Sequence, residues 1–210
     1  MNDIKYNTWT IIMLTIGILS QIVTFIFTND TLLALISGIA GIYSVVYCSE
    51  KKMKYYLFSI IQILTYAYIC WQNQLYGKLI ENGVYIISTI IGIYIWFRHL
   101  DNDKKVITKK LNKIQWIITI TCTIIGMIIT YYLLNYVNGN NVMLDTLSTV
   151  LALTAQILMI MRYKENWIVW FIVDVLCIWI WIVNENWCMT IQYTFWLINT
   201  IYGYFLWNKH

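Results

Sequence analysis

The sequence contains no proline, nine glycines and few charged residues, with Asp, Glu, Lys and Arg making up 11% of its 210 positions. A soluble domain carries about 25% charged residues, so this chain has too few to cover a surface that faces water. Because proline is absent, no helix can be interrupted by a proline kink. These absences exclude an ordinary soluble domain and favour long, continuous helices.

Groups that bind metals or nucleotides are also scarce. The histidines, His99 and His210, lie outside the apolar runs, and the five cysteines form no Cys-x-x-Cys pair. No metal site and no cofactor is therefore expected. The sequence has no HExxH, GxSxG or GxxxxGK motif, which argues against an enzyme and against a pump driven by ATP.

Hydrophobic residues, in contrast, make up 60% of the chain. They form eight runs of about 17 to 22 residues, near the ~20 that an α-helix needs to cross the hydrocarbon core of a bilayer. The sequence therefore predicts an all-α polytopic membrane protein with eight transmembrane helices in a lipid bilayer. The runs are 9–28, 31–48, 55–71, 78–97, 114–134, 143–161, 166–183 and 187–207.

The basic residues concentrate in alternate loops. With both termini in the cytoplasm, every Lys and Arg except Lys78 faces inward. This distribution follows the rule that Lys and Arg accumulate in cytoplasmic loops, and it predicts cytoplasmic termini. The basic segment 98–113 is interpreted as a solvated loop beside the membrane, so no nucleic-acid partner is expected.

An internal repeat relates the two halves of the chain. Residues 88–97 read STIIGIYIWF and residues 199–208 read NTIYGYFLWN, with Thr, Ile, Gly and Trp in register. Further upstream, Gln62 aligns with Asp174. Corresponding spans of the two halves lie an even number of spans apart, three repeat spans plus one linker. The repeats are therefore predicted to be parallel, with a substrate site near the midplane where they meet. The predicted divisions are an N-terminal extra helix in 1–30, a first three-helix bundle in 31–98, a loop and linker helix in 99–142 and a second three-helix bundle in 143–210.

A single acid, Asp174, lies in the middle of the very apolar segment 167–183. A charge at that depth costs roughly 2.5–3.5 kcal/mol and usually faces a bundle interior or a cavity. Trp167 and Trp170 share its helical face, at spacings of i, i+3 and i+7. Two indoles beside a carboxylate would suit a flat aromatic cation. The alternatives are a structural hydrogen bond for the acid and an interfacial position for Trp167.

Polar side chains on other spans also recur on single helical faces. For any one of them, a hydrogen bond between helices is a better interpretation than ligand binding. Together, several converging on one cavity favour a pocket for a solute that carries a ribosyl or amide group. The candidates on the third, fourth and eighth spans are Gln62, Tyr66, Glu81, Tyr85, Ser88, Gln192, Trp196 and Asn199.

Four stretches resemble the PnuC family of bacterial vitamin transporters. They are YAYICWQNQLYG, GIYIWFRH, the W-x-x-W pair followed by an acid, and LINTIYGYFLW, and the resemblance extends over about residues 31–208. It implies two three-helix bundles joined by a linker helix, as in SWEET proteins, within the bacterial cytoplasmic (inner) membrane. The family also suggests a homo-oligomer, specifically a trimer. Residue by residue, it places the tryptophan motif on Trp167 and Trp170, the acid on Asp174, and polar ligands on Gln192 and Asn199.

The usual substrate of that family is nicotinamide riboside, a pyridinium cation. The resemblance implies facilitated diffusion, made net inward when a cytoplasmic kinase phosphorylates the substrate. Two other hypotheses remain open at this point: a carrier for thiamine, which is also a flat cation, and a membrane scaffold or sensor without transport.

Overall fold

A computed structural model describes residues 2–28, 31–72, 76–136, 142–183, 185 and 187–209. These residues form eight α-helices, whose bounds lie close to the predicted runs. The prediction of an all-α chain with eight long helices is therefore confirmed. The helices are α1 (Asn2–Thr28), α2 (Leu32–Ser49), α3 (Lys54–Gln72), α4 (Tyr76–Phe97), α5 (Lys113–Tyr136), α6 (Val142–Ile160), α7 (Asn166–Val183) and α8 (Trp187–Asn208).

Among the described residues, five helical segments are long and apolar enough to cross a membrane: Thr8–Thr28, Leu32–Ser49, Lys113–Tyr136, Val142–Ile160 and Asn166–Val183. In α4, a shorter apolar segment covers Asn82–Phe97. Large apolar side chains are exposed along the helices, as in a protein whose outer surface is solvated by lipid. The chain is a polytopic membrane protein.

The chain divides into two compact units, Met1–Ile107 and Thr108–His210. In the first unit α2 packs against α1 and α3, and α3 packs against α4. In the second unit α6 packs against α5 and α7, and α7 packs against α8. In each unit, therefore, every helix packs against the helices next to it in the chain. The finer division at residues 30, 98 and 142 stays a prediction.

Side chains cap two helices at their first turns. The hydroxyl oxygen of Thr31 accepts a hydrogen bond from the Ala34 amide at the start of α2. At the start of α5, the main-chain N–H of Gln115 donates to Asn112 Oδ1 over 2.8 Å, and the main-chain N–H of Asn112 donates to Gln115 Oε1 over 3.0 Å. This reciprocal capping box satisfies amides that a helix leaves unpaired at its N-terminus, and it defines where α5 begins.

The helix α2 ends in a turn with a left-handed residue. Lys51 has a φ of 61°, and its amide donates to the Cys48 carbonyl while the next amide, of Lys52, donates to the Tyr47 carbonyl. This is a Schellman motif, in which glycine usually takes the left-handed position. The Lys51 carbonyl then accepts from the Val106 amide, so segment 105–106 is fixed to the turn by its backbone.

The same turn ends α6 in the second unit. Arg162 has a φ of 68° and donates its amide to the Met159 carbonyl, and the Tyr163 amide donates to the Leu158 carbonyl. The Arg162 carbonyl accepts a hydrogen bond from the Lys109 amide. Within each unit, a residue of the predicted solvated loop 98–113 thus makes a backbone hydrogen bond with the turn of that unit, which the basic composition of the loop alone did not indicate.

Candidate functional site

Asp174 lies in the middle of α7 and is 2% exposed. Its Oδ2 accepts a hydrogen bond of 2.8 Å from the hydroxyl of Thr200 on α8, which is also buried. The acid thus faces the interior of the second unit, away from lipid, as the cost of a charge in hydrocarbon requires. A hydrogen bond to a charged group stabilises by about 1.5–3 kcal/mol, so this contact offsets part of that cost.

The helix α7 has one buried stripe. Trp167, Asp174 and Cys177 are buried and Trp170 is half-buried, while Ile172 and Trp179 on the opposite face are exposed. The spacing of i, i+3, i+7 and i+10 is the period of a helix with a single packed face. The structure therefore places the three α7 candidates on one stripe, with Trp170 between the buried indole and the buried acid.

Trp167 packs closely against α8. A Cβ atom added at Gly203 would lie 2.6 Å from Cη2 and Cζ2 of the Trp167 indole, so glycine is needed for this approach. Trp207 meets the same indole edge-on, with ring centroids 5.6 Å apart. Trp167 is 4% exposed and its Nε1 has no hydrogen-bond partner among the described residues. In this conformation its ring contacts α8, and its proposed stacking on a ligand stays a prediction.

The first unit has a contact at the aligned positions. Tyr55 on α3 lies against Trp96 on α4, with ring centroids also 5.6 Å apart. The repeat aligns Trp96 with Trp207, and the alignment of Gln62 with Asp174 also aligns Tyr55 with Trp167. An aromatic pair therefore connects α3 with α4 in the first unit and α7 with α8 in the second.

The α8 candidates differ in burial. Asn199 is buried beside Thr200, while Gln192 and Trp196 are half-buried. The Trp196 ring meets Tyr193 edge-on at 4.8 Å, and its indole N–H has no hydrogen-bond partner among the described residues. The indole N–H of Trp196 is therefore buried without a partner among these residues, and its role towards a ligand stays a prediction.

On α3, the candidate Gln62 lies against a glycine of α2. A Cβ atom added at Gly41 would lie 2.9 Å from Gln62 Nε2, so the amide fills the space that the glycine leaves. The backbone carbonyl of Gln62 also accepts a hydrogen bond from the Ser37 hydroxyl of α2, over 3.4 Å. Gln62 thus packs towards α2. Tyr66, one turn further along, is 40% exposed.

The α4 candidates lie within two turns of one another. Ser88 is buried and donates its hydroxyl to the Tyr85 carbonyl over 2.9 Å, and Tyr85 itself is half-buried. The side chain of Glu81 lies outside the part of the chain that the structure describes. The ligand-binding roles of all eleven candidate residues stay predictions.

Sequence reasoning missed Thr200, the residue in contact with the acid. The repeat aligned it with Thr89, and that shared position was the available signal, but a threonine in a span is usually unremarkable. Among the side chains that the structure describes, no three His, Cys, Asp or Glu residues lie close enough together to hold a metal ion.

In polytopic helical proteins, an acid buried in the middle of a span commonly marks a solute or ion pathway, which fits a membrane transporter. The family model for the nicotinamide mononucleotide transporter matches residues 31–209. The nicotinamide riboside transporter PnuC of Haemophilus influenzae is 34% identical over 208 residues, covering 97% of this chain and 91% of that protein. The PnuC protein of Neisseria mucosa is 30% identical, covering 90% of this chain and 76% of that protein.

A solved structure is also similar. The crystal structure of the vitamin B3 transporter PnuC superposes with a TM-score of 0.78 at 29% identity, covering 96% of this chain and 89% of that one. The chain belongs to the PnuC family of membrane transporters. The predicted family is therefore confirmed, as is the prediction of a transporter rather than an enzyme, because its relatives are named as transporters.

Proposed function

We propose that this protein carries nicotinamide riboside across the bacterial cytoplasmic membrane by facilitated diffusion with alternating access. The observation that carries the proposal is the buried carboxylate of Asp174 on the same stripe of α7 as Trp170. The carboxylate neutralises the pyridinium charge and the half-buried indole of Trp170 offers a face for stacking. Attraction between a cation and an indole adds about 0.5–2 kcal/mol.

The distribution of charge favours the riboside over its phosphorylated form. In all eight helices, Lys and Arg occur only within the first four residues, as Lys5, Lys54, Lys78 and Lys113. A phosphate group carries about −1.5 to −2 charges and is usually bound by Lys or Arg. No such partner lies in the middle of a span, whereas an acid does. The riboside, for which the relatives are named, therefore fits this charge distribution better than the mononucleotide, for which the family model is named.

The same argument supports trapping by phosphorylation. Once a cytoplasmic kinase adds a phosphate, the product has no basic partner within a span and is repelled by Asp174. Downhill transport then becomes net uptake. The sequence contains no nucleotide-binding motif that would drive transport directly. The family resemblance also supports a trimer, which light scattering on the purified protein would check.

Cytoplasmic termini are part of the proposal, supported by the placement of every Lys and Arg except Lys78 on one side. In a background without native cysteines, a cysteine in place of the exposed Glu185 should react with an impermeant reagent added outside cells. A cysteine in place of the exposed Lys104 should react only after the cells are opened. The reverse pattern would reject the orientation.

Uptake of labelled riboside into proteoliposomes tests the proposed substrate. Unlabelled riboside should compete fully, while the mononucleotide, which carries a phosphate, should not compete even in large excess. Stronger competition by thiamine than by riboside would assign the protein to thiamine instead. No uptake of any vitamin by folded protein would favour a scaffold or sensor.

A further inference from the structure

Thr200, like Thr10 with Glu50, donates its hydroxyl to an acid outside its own helix, whereas four other helical threonines bond to their own backbone. Thr65, Thr123, Thr154 and Thr194 each donate to the backbone carbonyl four residues earlier in their own helix, over 2.8–2.9 Å. This local bond is the ordinary way for a threonine to satisfy its hydroxyl inside a helix. Thr200 instead donates across to Asp174 on α7, where both side chains are almost fully buried.

The bond constrains the carboxylate without using all of its capacity. A carboxylate accepts hydrogen bonds at both oxygens, and Thr200 occupies only one position, at Oδ2. A donor held on a neighbouring helix fixes the plane of the carboxylate and stabilises its charged form, because hydrogen bonds to ionised groups are shorter and stronger than those to neutral ones. Free rotation of the acid about its side-chain bonds would oppose both effects.

We propose that Thr200 is a positioning residue that holds the Asp174 carboxylate ionised and oriented to receive a flat cation. The inference rests on the proposed function for the identity of the cation. It assigns to Thr200 a part in specificity: the protein distinguishes a charged vitamin from an uncharged one of the same outline through an acid that Thr200 keeps in place.

The first unit contains the same threonine without the acid. Thr89 is buried, and its hydroxyl has no hydrogen-bond partner among the described residues. The position that aligns with Asp174 is Gln62, whose amide lies against Gly41 of α2. The threonine position is therefore shared by both units, but the pairing with a charged group is particular to the second one.

Four variants separate positioning from packing. Thr200→Val keeps the shape of the side chain and removes the donor, and Thr200→Ser keeps the donor. Thr194→Val is the matched control, because Thr194 is exposed on the same helix and bonds only to its own backbone. Asp174→Asn supplies the reference spectrum that identifies the vibrational band of the acid.

The first readout is infrared difference spectroscopy of the Asp174 carboxyl group, which needs no ligand. Thr200→Val should shift the Asp174 band, whereas Thr200→Ser and Thr194→Val should leave it in place. An unshifted band in folded Thr200→Val protein would overturn the assignment. This readout tests the pairing even if riboside proves not to be the substrate.

The second readout is the affinity for riboside and for its reduced, uncharged dihydro form. Thr200→Val should weaken the cation about tenfold, equivalent to about 1.4 kcal/mol, and leave the dihydro form unchanged. Thr200→Ser should restore the wild-type preference. Equal weakening of both ligands would make Thr200 a packing residue and overturn the proposal. Wild-type protein that binds neither ligand would reject the proposed function and the role in specificity together, while the infrared band would still decide the pairing.

Discussion

Replacement of Asp174 by Asn is expected to weaken the binding of nicotinamide riboside roughly a hundredfold, while the uncharged dihydro form binds nearly as before. Two opposite charges about 4 Å apart interact by ~4 kcal/mol at an effective dielectric constant of 20. Desolvation of the cation offsets part of this, and a hundredfold change corresponds to about 2.8 kcal/mol. Asn preserves the outline and one acceptor oxygen, so the charge is what the substitution removes.

The control is Asp145→Asn, which removes an acid that is exposed in the first turn of α6. It should leave both affinities unchanged, since a solvated charge contributes little to a distant site. Isothermal titration of the purified variants measures both ligands. If Asp174→Asn weakens the two ligands equally, the acid acts as a hydrogen-bond acceptor or a structural tie. Should it weaken neither, the acid lies outside the ligand site.

Gly203→Ala is expected to lower stability by about 1–3 kcal/mol, the usual cost of inserting a methyl group into a packed interior. The added Cβ would lie 2.6 Å from two ring atoms of Trp167, and the indole has little room to move because Trp207 meets it edge-on. A rigid, buried ring cannot yield as the end of a flexible side chain can. The unfolding midpoint in detergent, followed by intrinsic fluorescence, measures the effect.

Gly83→Ala is the matched control for that substitution. Gly83 is also helical, but a Cβ atom added there meets no atom within 4 Å. Alanine is the better helix former by about 1 kcal/mol, so this variant should be as stable as the wild type or more stable. Combining Gly203→Ala with Trp167→Phe should recover part of the loss, because the smaller ring vacates the space. Equal midpoints for the two alanine variants would contradict the close approach of α7 and α8.

The spans were predictable because their signal is physical and local. Apolar runs bounded by charged or polar loops define α7 at the predicted bounds of 166 and 183, and the other helices within a few residues except at the start of α1. The first helix begins earlier than its apolar run, at Asn2, because polar residues continue the helix beyond the hydrophobic segment. Hydropathy reports the part that needs lipid and says nothing about such extensions.

The contacts between helices were less accessible to sequence reasoning. Periodicity placed Trp167, Trp170 and Asp174 on one face, and the structure agrees, but it could not give the rotation of α8 against α7. That rotation brings Thr200 to the acid and Gly203 to the indole. A tryptophan near a span end is equally compatible with an interfacial, stacking or packed position, and only the neighbouring helix distinguishes them.

The turns that end α2 and α6 could not be predicted from the sequence, for a different reason. Glycine is the usual sign of a left-handed residue at a helix end, yet Lys51 and Arg162 take that position here. With no glycine or proline to mark the turns, the sequence indicated a basic loop and no more. Their backbone partners, Val106 and Lys109, come from a segment that reads as solvated. Hydrogen bonds of the main chain leave little trace in side-chain composition.

The most direct test of the central claim is the level at which riboside uptake stops. Proteoliposomes that contain the purified protein, with no imposed ion gradient and no kinase inside, should take up labelled riboside until its internal and external concentrations are equal. Enclosing the kinase and ATP should convert this plateau into continued uptake, because the phosphorylated product cannot return. Accumulation of unmodified riboside above the external concentration, driven by an imposed proton or sodium gradient, would contradict facilitated diffusion and make Asp174 a candidate coupling residue.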